Sequence, residues 1–345
     1  MKKLNVAIVG ATGMVGQSLV QVLQERNFPV GNLKLLASTR SAGLTVEVGG
    51  QSYKIEEAKP EAFEGVDVAF FSAGGDISKE LGPEAVRRGC VVVDNSNAFR
   101  MDEGVPLVVP EVNPEAVEGH KGLIANPNCS TIQLVVALQP LQKAAGLKRV
   151  VVSTYQAVSG AGKEAVDELE NQSQSILDGK TDFPKERIPH GGAKVGHQIA
   201  FNVVPQLDVF VEDGYTKEER KIMQETKKIM SLPELKITST TVRVPVVNGH
   251  SESVNVELEK ALSPDEARKV LSEAPGVVVM DNPEELSYPM PVPQDGRDEV
   301  FVGRIRVDRS VENGLNIWVV ADNIRKGAAT NSIQIAEELI ARGLL

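Results

Sequence analysis

Leu4 to Val9 is a short apolar run, followed at once by GATGMVG (Gly10 to Gly16) and then by LVQVLQERN, in which apolar residues recur at helical spacing. That order predicts a strand, a glycine turn and a helix. Further apolar runs at Leu33–Ala37, Val66–Phe71, Val91–Asp94 and Leu123–Ala125 are separated by helical or loop segments such as PEAVRRG. The alternation predicts a parallel, doubly wound α/β sheet. At 122–131 the chain reads GLIANPNCST, after which Ile132, Val135, Val136, Leu138 and Leu141 keep a helical period. Asn128 is the expected N-cap, which places Cys129 in the first turn.

The character then changes. Val150–Thr154, Ile237–Val247, Ser253–Glu259, Val300–Val307 and Gly314–Val320 read as strands, several of them alternating, with helices expected at 163–177 and 216–230. This predicts an α+β domain on a mostly antiparallel sheet, inserted from 128 to 324. The final helical pattern, AATNSIQIAEELIARG, is expected to return to the first domain, so that 1–127 plus 325–345 form one unit. Segment 178–195 reads as a long loop.

A length of 345 residues suits two domains, and 41% hydrophobic residues supports globular cores. The apolar runs fall short of the roughly 18 residues that span a membrane. MKKLNVAIVG lacks the features of a signal peptide, and a leaderless cytoplasmic protein is expected. Two cysteines make no disulfide framework, which fits a reducing compartment. A net charge of −10 without a basic block predicts neither nucleic acid nor anionic membrane as a partner, so an anionic ligand must be held by a few local cations.

Gly10, Gly13 and Gly16 form G-x-x-G-x-x-G, a variant of the dinucleotide fingerprint, in which Thr12, Met14 and Val15 complete a turn whose backbone can approach a pyrophosphate. The second strand ends in LLASTRSAG. Where an acid would bind a ribose diol, the chain offers Ser38, Thr39 and Arg40, which suits a 2′-phosphate and predicts NADP over NAD. Cys129 leaves two readings open: a thiol activated by unpaired amides and the helix dipole, or a small core residue. Cys90, opening CVVVD, reads as core. Of the four histidines, His190 and His197 have no carboxylate or cysteine at metal-binding spacing, so no metal is expected. His250 lies between two predicted strands, and its residue pattern alone fits a hairpin-turn histidine in solvent. Arg243 by itself fits a solvated strand arginine, and KEERK, containing Glu218 and Lys221, a charged helix face.

GATGMVG, SAGG at 72–75, DNSNAFRM at 94–101, VVPEVN at 108–113, NPNCSTIQ at 126–133, STYQAVSGAG at 153–162 and GHSESV at 249–254 together resemble the aspartate-β-semialdehyde dehydrogenase family, through nearly the whole chain. The resemblance implies a Rossmann-type NADP-binding domain and a catalytic and dimerisation domain, a homodimer, and reversible reductive dephosphorylation of L-aspartyl-4-phosphate with release of inorganic phosphate. That step feeds lysine (through diaminopimelate), threonine and methionine synthesis. It further implies Cys129 as nucleophile, His250 as acid/base catalyst and Gln156 as the residue orienting substrate. Arg243 then grips the α-carboxylate, Glu218 lies near the amino group, and Arg100 and Lys221 bind phosphate. Ser159, Gly160 and Asn323 lie near the nicotinamide. N-acetylglutamyl-phosphate reductase shares the Cys/His logic, but the substrate-pocket motifs fit the aspartyl enzyme. A nonenzymatic NADP-binding sensor would have no use for both Cys129 and His250.

Overall fold

The computed structural model describes residues 2–48, 50–190 and 193–345. The chain divides into two compact units, one running to Asn128 and including Gly327–Leu345, the other Cys129–Lys326.

In the first unit, β1 (Leu4–Val9) leads through the glycine turn into α1 (Met14–Glu25) and β2 (Val30–Ala37). A hairpin of β3 (Thr45–Val48) and β4 (Gln51–Glu57) precedes β5 (Val68–Phe71), α2 (Gly75–Arg87), β6 (Val91–Asp94) and β7 (Leu123–Ala125). The sheet order is β3-β4-β2-β1-β5-β6-β7, parallel except for β3 against β4. The order reverses direction at β1, and the crevice at the strand ends there is where such sheets bind ligands. Two loops meet at that point. Gly10 has φ +88°, and a Cβ on it would stand 2.8 Å from the Ser72 carbonyl carbon, in the loop after β5. A Cβ on Gly16 would stand 2.3 Å from the Gly10 carbonyl oxygen, so the helix can start this close to the turn only with glycine there.

In the second unit, α3 (Cys129–Ala145) leads into β8 (Leu147–Gln156) and α4 (Lys163–Leu177). Then come α5 (Lys217–Ile229), β9 (Lys236–Arg243), β10 (His250–Leu258), α6 (Pro264–Ser272), β11 (Val277–Val279), the short α7 (Pro291–Gln294), β12 (Val300–Asp308) and β13 (Gly314–Ala321). Helix α3 is buried all round from Ser130 to Leu138 and packs on β8, β10, β12 and β13 and on α5 and α6, which makes it the centre of the unit. Between α4 and α5, the described residues of 178–195 contain neither helix nor strand.

The sheet order is β11-β12-β13-β10-β8-β9. Its centre is antiparallel, but β11 pairs parallel with β12 and β9 parallel with β8, so the expectation of a mostly antiparallel sheet is corrected to a mixed one. The physical reason is connection length. Helix α5 follows β8 and packs on β9, giving a crossover long enough to bring β9 in parallel, and α6 does the same for β11. Strand β9 also stops at Arg243 rather than at Val247: the Val244 N–H makes the last bond to Gln156, and Pro245 after it has no N–H for the ladder.

The last helix, α8 (Thr330–Ala341), belongs to the first unit. Ile333, Ala336 and Leu339 enter the core around β1, and the Asn331 amide donates to the Val108 carbonyl at 3.0 Å and to Asn126 Oδ1 at 2.7 Å.

Candidate active site

Helix α3 begins at Cys129, directly after the buried Asn128, so the thiol occupies the turn whose backbone amides have no intrahelical acceptor. Cys129 is half-buried, directly before the buried stretch Ser130–Leu138. Both cysteines are free thiols, and Cys90 is packed in the core of the first unit, where burial and then the charge of Asp67 push its pKa up to about 12.

Strand β9 delivers Arg243 and β10 delivers His250, both buried. They are tied to the same residue. The Arg243 Nη1 donates to the Ala157 carbonyl at 2.7 Å, and the Ala157 N–H donates to His250 Nδ1 at 3.1 Å. Burial lowers the Arg243 pKa from its usual value, while Glu218 and then Cys129 raise it, so both lie within its electrostatic reach. Burial and then Arg243 push His250 down to about 3, against the opposing pull of Glu218. The ring's Nε2 is buried without a hydrogen-bond partner.

Helix α5 contributes the carboxylate. Thr216 and Glu219 form a capping box, and the other Glu219 oxygen accepts from the Thr241 N–H at 2.9 Å, which locks the helix start onto β9. Glu218 is thereby turned inward and buried, accepting from Gln156 Nε2 at 3.3 Å and from Lys221 Nζ at 3.1 Å. Lys221 also meets Asp208 at 3.2 Å. KEERK is therefore more than a solvated face, and Glu219 is a positioning residue that the sequence reading missed, although Thr216-x-x-Glu219 carries the capping-box signature.

Ser159, Gly160 and Asn323 lie beside this group. The Asn323 amide donates to Ser159 Oγ at 3.0 Å and its oxygen accepts from the Gly249 N–H at 2.8 Å, immediately before His250. A Cβ on Gly160 would stand 3.2 Å from Arg243 Nη1 and 3.3 Å from His250 Nε2, so this glycine leaves their edges open. Glu252, two residues beyond His250 on the same strand face, is fully buried; burial raises its pKa well above the usual value, against the Gln133 amide that favours its charged form. Neither carboxyl oxygen has a hydrogen bond of good geometry.

The remaining candidates belong to the first unit. Arg100 is buried, with Nε donating to the Asn126 carbonyl at 2.9 Å and Nη2 to the Asn95 carbonyl at 2.8 Å. Thr12, Gly13, Met14 and Val15 form the turn and first residues of α1, whose N-terminus has no side-chain cap. Ser38, Thr39 and Arg40 are exposed just after β2. The Thr39 hydroxyl donates to Glu57 at 2.6 Å, an acid at the end of β4 that is distant in sequence.

The other histidines make a contrast with His250. His120, in the first unit, accepts the Gly122 N–H at Nδ1, and burial lowers its pKa. His197 is exposed and His190 half-buried, and Gly191 and Gly192 between them lie outside the described residues. Among the described residues, no group of His, Cys, Asp and Glu is arranged to hold a metal ion, and no helix is long and apolar enough to cross a membrane.

Comparison with known proteins places this geometry. The family model for the semialdehyde dehydrogenase NAD binding domain matches residues 5–120, and that for the semialdehyde dehydrogenase dimerisation domain matches residues 138–326. An aspartate-semialdehyde dehydrogenase of Aquifex aeolicus is 58% identical over 343 residues, covering 99% of each chain. The chain belongs to the aspartate-semialdehyde dehydrogenase family. It is an enzyme of that family, with a Rossmann-type nucleotide-binding domain and a second domain of the dimerisation type. The crystal structure of aspartate semialdehyde dehydrogenase II from Vibrio cholerae complexed with ASA superposes with a TM-score of 0.93 at 45% identity, covering 99% of each chain. A family member from Candida albicans, solved with NADP, superposes with a TM-score of 0.76 at 27% identity, covering 100% of each chain.

Proposed function

We propose that the protein catalyses the reversible, NADP-dependent reductive dephosphorylation of L-aspartyl-4-phosphate to L-aspartate-4-semialdehyde, through a thioester on Cys129. The observation that carries this reading is the convergence of the helix-terminal thiol with Arg243, Glu218, Gln156 and His250 in one unit. A thiolate is both a strong nucleophile and a competent leaving group from an acyl carbon, which the two half-reactions require. Arg243 presents a planar fork to the substrate α-carboxylate and Glu218 an anion to its amino group. Gln156, held by Glu218, orients the reacting carbonyl. Lys221 and Arg100 serve the phosphate, which at Lys221 must compete with Glu218 and Asp208. His250 stands at the substrate oxygen.

The residues of the first unit fit a dinucleotide. Glycines at 10, 13 and 16 with an uncapped α1 suit a pyrophosphate, and the exposed Ser38, Thr39 and Arg40 suit a 2′-phosphate. Ser159, Gly160 and Asn323 would hold the nicotinamide end. When bound, the cofactor accepts or supplies the hydride.

Phosphate-dependent reduction of NADP⁺ with aspartate semialdehyde, run beside N-acetylglutamate semialdehyde, tests the reading. Turnover of the second substrate alone would overturn it. On the same assay, replacing Ser38, Thr39 and Arg40 with neutral or acidic residues is expected to erase a preference for NADP over NAD. The lost charge-assisted contacts are worth about 1.5–3 kcal/mol, or roughly tenfold to a hundredfold in kcat/KM. Equal kcat/KM for both cofactors in the unaltered enzyme would refute the selectivity.

A homodimer is part of the proposal. The second unit's sheet has an outer face with Tyr155, Ser253, Arg304, Arg306 and Trp318 around a depression of about 380 Å³, and Phe201 and Phe210 are also exposed in this unit. A second copy covering such apolar surface explains its exposure. A cytoplasmic location and a role in lysine, threonine and methionine synthesis complete the reading.

A further inference from the structure

Helix α8 opens on Thr330, Asn331 and Ser332, all fully buried, ahead of the apolar residues that enter the core of the first unit. Burying polar side chains is costly unless they are bonded, and here Asn331 and Ser332 are bonded to one structure. Asn95 and Asn126 stand directly after β6 and β7, which pair in parallel with Asp94 opposite Ala125. The two asparagines are therefore neighbours at the carboxyl ends of adjacent strands. Asn126 Nδ2 donates to Asn95 Oδ1 at 3.0 Å. From α8, Asn331 Nδ2 donates to Asn126 Oδ1 at 2.7 Å, and the Ser332 hydroxyl donates to Asn95 Oδ1 at 2.9 Å.

Each amide in this chain of bonds has one orientation. Asn331 Nδ2 also donates to the Val108 carbonyl at 3.0 Å, and Asn95 Nδ2 donates to the Phe71 carbonyl at 3.0 Å. A carbonyl can only accept, so both ends of the chain are fixed, and Asn126 must turn its oxygen to Asn331 and its NH₂ to Asn95. The backbone carbonyls of the same two asparagines clasp Arg100 along one edge, with Nε on Asn126 and Nη2 on Asn95. A planar guanidinium held along an edge cannot swivel, so its plane follows those two carbonyls.

We propose that Asn331, with Ser332 in support, is a positioning residue for the phosphate step: through Asn126 and Asn95 it fixes the plane in which Arg100 meets the phosphate that cleaves the thioester. The inference rests on the reading of Arg100 as a phosphate ligand. An arginine fork recognises phosphate by orientation as well as by charge, so a guanidinium whose plane wanders binds less well although its charge is unchanged. Without Asn331, Asn126 Oδ1 loses a donor in a buried place, and turning the amide to find another would break its bond to Asn95. The two carbonyls then lose their mutual register. Hydride transfer precedes the arrival of phosphate and does not use this geometry, so the effect falls on the second half-reaction.

Transient kinetics separate the two half-reactions. With phosphate withheld, Asn331→Ala should reduce NADP⁺ at the burst rate of the unaltered enzyme, within about twofold. With phosphate added, its KM for phosphate should rise roughly threefold to thirtyfold while KM for the semialdehyde holds. Arg100→Lys, which keeps the charge without the fork, should raise the same KM, and in that background Asn331→Ala should add little, because no plane is left to set. Ser332→Ala, which removes only the bond to Asn95, gives the same comparison if Asn331→Ala does not fold. A phosphate KM unchanged in both α8 variants, a burst slowed as much as the phosphate step, or full additivity with Arg100→Lys would overturn the inference and leave Asn331 to packing alone. An unchanged phosphate KM in Arg100→Lys itself would instead overturn the phosphate assignment of that arginine, and the inference with it.

Discussion

Cys129→Ala is expected to lower phosphate-dependent turnover by about 10⁴-fold or more while dinucleotide binding survives. The two properties draw on different parts of the chain. The glycine turn and the 38–40 loop belong to the first unit, the thiol to the first turn of α3 in the second. Of the other side chains of the cluster, Arg243 is a permanent cation, Gln156 is not nucleophilic, and the Glu218 carboxylate is a weaker nucleophile than a thiolate and is paired with Lys221. Cys90→Ala should keep nearly full activity. Its pKa near 12 makes it a neutral thiol at physiological pH, and its removal leaves a small cavity costing about 1 kcal/mol. Peptide mass spectrometry with phosphate withheld should find the substrate-derived thioester at Cys129; an adduct confined to Cys90 would refute the assignment.

His250→Asn should lower kcat by about 10²–10⁴-fold with little change in KM, since it removes proton transfer rather than binding. Arg243→Lys should behave differently. Lysine keeps the charge but not the fork, so the bond to Ala157 and a bidentate grip on carboxylate cannot both be held. Loss of one charge-assisted contact, about 1.5–3 kcal/mol, predicts a tenfold to hundredfold fall in kcat/KM with KM raised. Steady-state kinetics with semialdehyde, phosphate and NADP⁺ separate the two cases. An unchanged kcat for His250→Asn would remove the residue from the chemistry, and unchanged kinetics for Arg243→Lys would make that arginine structural.

Sequence reveals the parts of this molecule in which one physical requirement dominates a local stretch. Val91–Asp94 and Leu123–Ala125 are buried strands and could be read from apolar runs alone, as could helix 163–177 from its period. The glycine turn was equally legible, because a tight strand-to-helix passage admits few other residues. The hairpin β3–β4 was not. It lies at the sheet edge with only Ile55 of β4 buried, so its residues keep a polar composition that resembles loop. The parallel edges of the second sheet depend on which strand each crossover reaches, and no short window contains that information. Glu218 and Glu219 looked solvated because a charged helix says nothing of what packs on it. Ala157, which holds both His250 and Arg243, acts through its backbone alone, so its identity carries no sign of the role. Glu57 reaches Thr39 only because the hairpin returns beside β2.

The buried carboxyl of Glu252 gives the second unit an unusual relation to pH. Its pKa is raised on folding, so its contribution to stability is fully present below the unfolded value of about 4.3 and fades as pH rises toward the folded one. His250 has the opposite sign. Its pKa falls to about 3 on folding, so stability is present above the unfolded value of about 6.5 and is withdrawn as pH drops from there. Between about pH 4.3 and 6.5 the two slopes oppose each other, and above that window Glu252 acts alone. Alkaline solution should therefore loosen the strand that bears His250. Glu252→Gln should raise the melting temperature more at pH 8 than at pH 5, making the unit sturdier in alkali through the loss of one ionisable oxygen that never meets solvent.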